Sequence, residues 1–230
     1  MSAVKNIIRK IMYALPSSYV LMFHHVTSEP EIQCSGCVLD EDKFYEITDM
    51  ISCFDSLENV LRQPSGRKAA ITFDDGLADV YTVAYPYLIQ KGIPFTIFPV
   101  TDFLDKPGYI TTAQLAEMSK NPLVTVGSHG VSHEIFTKMS SAQKKDELVR
   151  SKALIEDKIG RTVNIFAYSH GQNDKETRRY AKCYKYALAT SGRPLNFITK
   201  QKMRIPRINI ENKTYEAQKK LLTGWLTRKK

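Results

Sequence analysis

The sequence predicts an α/β fold, a deformed (β/α) barrel of about seven parallel strands, and three observations predict it. Strand-like and helix-like stretches alternate along the 230 residues, the pattern of repeated βα units. The strand-like stretches are short, unbroken apolar runs, as strands covered on both faces require. Residues able to do chemistry stand at the ends of those runs, where parallel α/β sheets gather their sites. A chain of this length suits one domain, residues 1–230, with a sizeable core.

In chain order, residues 4–14 form a short basic amphipathic helix with Val4, Ile7, Ile8, Ile11 and Met12 on one side. The strand at 19–23 follows, then a loop to Val38, a helix over 40–52 and a minor helix over 56–62. Gln63-Pro64-Ser65-Gly66 is turn chemistry. The central strand is Ala69-Ala70-Ile71-Thr72-Phe73, which delivers Asp74 and Asp75 to its carboxyl end before Gly76. A helix over 77–90, stopped by Gly92, and a buried strand over 95–100 come next. Thr111 and Gln114 make a capping box, residues 123–126 a strand, and Ser140 and Gln143 open a long helix that Gly160 closes. A strand ending at Phe166, a helix over 174–183 and strands over 186–190 and 207–210 complete the alternation. Asn212 caps a terminal helix, 212–227, with Tyr215, Leu221, Leu222, Trp225 and Leu226 on its buried side.

The net charge of +9 is unevenly placed: +3 falls in residues 1–28 and +5 in residues 213–230, so the body is nearly neutral. No stacking or base-reading signature accompanies these cations, which argues against nucleic acid. Peripheral contact with anionic membrane is the functional expectation for basic termini, and plain solubilising tails are the bland one. No run of about 20 apolar residues is present to span a membrane. Lys5, Arg9 and Lys10 interrupt the first apolar residues, so no secretory signal is read and a cytoplasmic location is expected. Cys34 and Cys37 have redox-pair spacing without a following helix pattern, Cys53 and Cys183 read as small core residues, and the compartment reads as reducing.

The five histidines fall in three places, each at or past a strand end: His24 and His25, His129 and His133, and His170. Strand ends of one barrel share a face, so these histidines and the Asp74-Asp75 pair are expected to converge. One carboxylate and two imidazoles with other positions open is how a catalytic zinc-type site is built, and Co2+, Ni2+ and Fe2+ accept the same donors. His129 and His133 reach one ion if Val131-Ser132-His133 begins a helical turn. A second carboxylate beside the ligands can act as base toward water.

Thr72-Phe73-Asp74-Asp75-Gly76 and Ser128-His129-Gly130-Val131-Ser132-His133 resemble the first two motifs of the NodB-type polysaccharide deacetylases. The resemblance runs over most of residues 19–210. It implies a deformed (β/α) barrel and metal-dependent removal of acetyl groups from sugars, with Asp74 as base and Asp75, His129 and His133 as metal ligands. Ala167-Tyr168-Ser169-His170-Gly171 resembles an arginine-free variant of the family's third motif, which implies roles at substrate or oxyanion for Tyr168, Ser169 and His170 through its backbone N–H. Arg207 is the candidate replacement for the missing motif arginine. The family's C-terminal Leu-x-x-His is absent, but Leu21-Met22-Phe23-His24 has that pattern near the N-terminus, as in a circularly permuted branch. His24 is therefore expected as the general acid, with His25 on the opposite face if the strand continues.

The expected function is hydrolysis of an acetyl group from an N-acetylated sugar or glycan precursor, lipid- or nucleotide-linked, in cell-surface glycan synthesis. Hydrolysis of another amide, a formamide or cyclic imide, is the alternative on the same scaffold. A glycan-binding homologue without catalysis is a third reading, motivated by the altered third motif.

Overall fold

The computed structural model describes residues 17–28, 37–195, 201–211, 213, 216 and 217. The expected helix over 4–14 therefore lies outside the described residues, as do Cys34 and all of the helix expected over 212–227 except residues 213, 216 and 217, of which 216 and 217 are helical. Seven parallel strands form one sheet: β1 (Tyr19–Phe23), β4 (Ala69–Asp75), β5 (Phe95–Pro99), β6 (Val124–Val126), β7 (Ile165–Ala167), β8 (Tyr186–Thr190) and β9 (Ile205–Asn209). β2 (His25–Val26) and β3 (Val38–Leu39) make a separate parallel pair.

The sheet order β6-β5-β4-β1-β9-β8-β7 places the chain's strands in sequence around a ring, with β1 between β9 and β4. One residue joins the two edges. Ser128, just past β6, donates its N–H to the Ile165 carbonyl (3.0 Å) and accepts from the Ala167 N–H (2.9 Å) of β7. The sheet is thus a deformed (β/α) barrel whose last gap is closed beside His129.

Alternation along each strand separates two packed layers. Val20, Ala70, Phe98, Ile165, Ala167, Leu188 and Ile205 fill the inside. Leu21, Phe23, Ile71, Phe73, Ile97, Phe166 and Ile208 face outward onto the helices. Those helices are α1 (Glu41–Asp49), α2 (Leu57–Arg62), α3 (Tyr85–Gln90), α4 (Thr112–Lys120), α5 (Ser141–Ile159) and α6 (Lys175–Tyr180). Both expected capping boxes form, at Thr111 with Gln114 and at Ser140 with Gln143, and Gly160 ends α5 at φ 65°.

Three expectations are corrected. The helix expected from Leu77 begins at Ala78, since Leu77 itself bridges Tyr109, and its middle, Val80–Ala84, is a π-helix rather than an α-helix, because Pro86 has no N–H for a regular helical bond. The strand through His24 does not continue: β1 ends at Phe23, and His25 belongs to β2, its N–H bonded to the Cys37 carbonyl. Cys53 and Cys183 are free but exposed rather than core, whereas Cys37 is disulfide-bonded.

Gly127 tests the barrel closure. A Cβ there would lie 2.3 Å and 2.4 Å from two Phe98 ring atoms and 2.9 Å from the Ile165 carbonyl oxygen. Gly127→Ala is expected to destabilise the fold by about 1–3 kcal/mol, read as a lower urea midpoint. An unchanged midpoint would show that the interior yields at no cost.

Candidate active site

Asp74 ends the inward-facing series Ala70, Thr72, Asp74 of β4, and Arg207 continues the inward series of β9 from Ile205. The two meet inside the barrel. Arg207 Nη1 donates to Asp74 Oδ1 (2.6 Å) and Nη2 to Oδ2 (2.7 Å), a two-pronged ion pair with both residues buried. Phe98 lies under the guanidinium, whose carbon is 5.6 Å from the ring centroid. Burial pushes the Asp74 carboxyl up, but Arg207, His129 and His24 more than offset this and hold it below the ordinary carboxylate range.

Consecutive strand residues point to opposite faces, so Asp75 should look away from Asp74's cavity. Its left-handed backbone, φ 68°, followed by Gly76 at φ 78°, breaks the alternation and turns its carboxylate toward the site. There it meets two imidazoles. Asp75 Oδ1 lies 3.1 Å from His133 Nε2 and 3.5 Å from His129 Nε2, and one donor atom from each of the three residues falls within 4.8 Å of the others. The expected helical turn at residues 131–133 does not form. Gly130 at φ 90° and His133 at φ 64° bend the chain back instead, bringing the second ring within 5.0 Å of the first.

This group fits a divalent cation. The Ala167 carbonyl, 2.8 Å from His129 Nδ1, accepts a hydrogen bond from that nitrogen's N–H, which leaves the Nε2 lone pair facing Asp75. Asp75 Oδ1 is itself buried without a hydrogen-bond partner of acceptable geometry among the described residues. Two lone pairs aimed at each other repel unless a cation stands between them. Burial also pushes the His129 imidazole down, toward the neutral form that ligates. Burial acts against ionised Asp75 as well, but the His133 and His129 rings hold its carboxyl well below the usual range.

His24, just past β1, has a partner that sequence reading did not find. Glu211, with its side chain fully buried, accepts from the His24 backbone N–H (2.5 Å) and contacts Nδ1 (2.7 Å). Burial lowers the imidazole's affinity for a proton, but Glu211, with Asp74 and Asp75 behind it, raises the pKa to about 9. The available signal was position: Glu211 stands two residues past β9, at the barrel end that carries chemistry. His25 is turned aside, its Nδ1 2.5 Å from Asp79 Oδ2.

The third-motif residues separate. The expectation that Tyr168 meets substrate is corrected: its ring is buried, its hydroxyl donates to the Met203 carbonyl (3.0 Å), and its N–H bonds Leu188 in the sheet. Ser169 is buried too, its hydroxyl donating to the His129 carbonyl (3.1 Å) and so bracing a ligand loop. His170 is exposed at φ 55°, its ring 4.7 Å from that of His133, and its N–H donates to no group among the described residues.

Removing the guanidinium tests the buried pair. Arg207→Met is expected to cost about 3–5 kcal/mol at neutral pH, because it strands a buried charge. Asp74's depressed pKa in the native fold contributes stability above its unfolded value, near 4, that is lost as pH falls through the folded value. Denaturation should therefore show the largest gap between Arg207→Met and the unsubstituted chain at neutral pH, narrowing toward acid. A gap independent of pH would contradict an ionised Asp74.

Known proteins resemble this chain in sequence and in fold. YxkH of Bacillus subtilis (strain 168), which carries a polysaccharide deacetylase name, is 29% identical over 133 residues, covering 58% of this chain but only 47% of YxkH. Streptococcus pyogenes deacetylase PplD, solved in complex with acetate, shares the fold at a TM-score of 0.75 and 22% identity, over 84% of this chain and 91% of that one. A de-N-acetylase from Aggregatibacter actinomycetemcomitans does so at 0.75 and 20%, over 89% and 99%. The family model described as polysaccharide deacetylase matches residues 62–189, more than half of the sequence, and the chain belongs to that family.

Proposed function

We propose that this chain is a metal-dependent deacetylase that hydrolyses the acetyl amide of an N-acetylated sugar or glycan precursor. The observation that carries the reading is the pairing of two imidazoles and a carboxylate with two oppositely poised groups, Asp74 held by Arg207 and His24 held by Glu211. Asp75, His129 and His133 would hold a divalent ion, Zn2+ first among Zn2+, Co2+, Ni2+ and Fe2+, which when bound would supply Lewis acidity toward the acetyl carbonyl and toward water.

The chain's own groups supply the rest. Asp74 begins ionised and takes the proton of the attacking water. Arg207 keeps the carboxylate ionised and fixed, so no rotamer search precedes the transfer. The backbone N–H of His170, which donates to no group among the described residues, is the assigned donor for the developing oxyanion. Expulsion of the amine needs a proton, and His24, protonated at neutral pH, gives it from Nε2 while Glu211 holds Nδ1. Ser169 acts behind His129 and not on substrate.

Support for a sugar comes from the family and from a half-buried aromatic wall. Phe103 lies 6.0 Å from the His133 ring and 4.7 Å from Tyr109, a surface suited to the apolar face of a pyranose. Lipid or nucleotide linkage of that sugar and membrane contact through the basic ends belong to the same proposal, supported by the charge distribution of the sequence alone. The disulfide at Cys37 is at odds with the reducing, cytoplasmic compartment expected from the sequence.

Leaving-group dependence tests the roles. His24→Ala should cut hydrolysis of an N-acetyl amide by about 10²-fold or more, and an activated acetyl ester much less, because its phenolate leaves without a proton. Asp74→Asn should slow both. Equal losses on both substrates for His24→Ala would remove it as the acid, and the amide-specific loss appearing in His170→Ala would move the role there.

A further inference from the structure

His129 and His133 are four residues apart and converge without a helix, so the turn between them must be held by something other than its own hydrogen bonds. Backbone polar groups of that turn find partners on two sides. On one side, the Gly130 and Val131 carbonyls accept the Thr101 (3.2 Å) and Asp102 (3.0 Å) N–H groups of the segment after β5. On the other side stands Glu147, from the middle of α5 and almost fully buried.

One carboxylate satisfies that whole side. Glu147 Oε2 accepts the Val131 N–H at 2.6 Å, both oxygens lie 3.2 Å from the Ser132 nitrogen, and Oε1 accepts the Ser132 hydroxyl at 2.7 Å. The approach is close enough to explain Gly130: a Cβ there would lie 2.8 Å from Oε2. One helical turn on, Ser151 pins α5 to the same strand end through Ser128 (2.8 Å), next to His129. Glu147 touches neither histidine nor Asp75, yet it grips the residues between them.

We propose that Glu147 is a positioning residue for metal capture, its buried carboxylate fixing from behind the turn that aims His129 and His133 at one point. The proposal rests on the metal-dependent reading above. Outer partners that orient ligands typically contribute 10–100-fold to metal affinity. Glutamine replaces this carboxylate only in part: one amide oxygen must serve both N–H groups, the NH2 must turn the Ser132 hydroxyl into an acceptor, and the charge that strengthens these bonds is lost.

The test is a competition titration of the metal-stripped full chain with Co2+ against a chelator, read by Co2+ visible absorption. Glu147→Gln should bind Co2+ about 10–100-fold more weakly, with an altered spectrum. The control is Lys144→Met, on the same helix face, which removes the contacts to Asp174 (2.6 Å) and Glu176 (3.1 Å) that help dock α5 but touches no ligand loop. It should bind as the unsubstituted chain does. Glu147→Gln with unchanged affinity and spectrum would overturn the proposal, and so would an equal loss in Lys144→Met, which would make the effect one of helix docking. Should Glu147→Gln fail to fold, Ser132→Ala removes one contact alone and should weaken Co2+ binding by a smaller factor; unchanged affinity there overturns the proposal equally. An unsubstituted chain that binds no Co2+ would instead sink the metal-dependent reading itself, and this inference with it.

Discussion

Arg207 and Asp74 place two full charges inside a barrel lined mostly by alanine, valine, leucine, isoleucine and phenylalanine, and neither charge is tolerable there without the other. The pair constrains the structure around it. β9 and β4 must lie on either side of β1 with their inward series in phase, so that a guanidinium from one reaches a carboxylate from the other. The barrel must also close, since water at the pair would weaken the attraction that repays its burial. Ser128 makes that closure and is followed at once by His129, so barrel integrity and ligand placement depend on the same residue.

The site lies where local rules fail. Regular strand geometry would send Asp74 and Asp75 to opposite faces, and regular helix geometry would carry residues 129–133 around a turn. Left-handed backbone at Asp75 and His133 defeats both, at conformations non-glycine residues seldom adopt. The surroundings over-determine them. Pro99 packs against Gly76, the Pro99 carbonyl accepts the His129 N–H, and the segment after β5 holds the carbonyls of the next two residues. Carboxylates then serve as orienting groups at two places, Glu211 on His24 and Glu147 on the ligand turn.

Much of this was legible in the sequence because it depends on short-range pattern. Unbroken apolar runs gave the parallel strands, the two capping boxes gave helix starts, and the Asp-Asp-Gly and His-x-x-x-His runs gave the acidic and imidazole groups. Arg207 could be named as a candidate, but only the register between β9 and β4 shows its two-pronged contact. Glu211 was missed because its partner is 187 residues away. Glu147 was missed because a glutamate within a charged helix looks solvated until the facing loop is known. Tyr168 misled for a related reason: a motif fixes which residue follows a strand, not which side of the strand that residue faces. Cys53 and Cys183 look like core residues by type, yet both are exposed, because residue type alone does not place a small side chain.

The proposed function stands on a metal ion, held by Asp75, His129 and His133, on which acetyl removal depends. The most direct measurement is acetate release from an N-acetylated oligosaccharide by the full chain, before and after chelation and after return of Zn2+ or Co2+, with bound metal counted in parallel. The account predicts one divalent ion per chain, acetate release lost with the ion and restored with it. Acetate release that persists in the metal-stripped chain would contradict it.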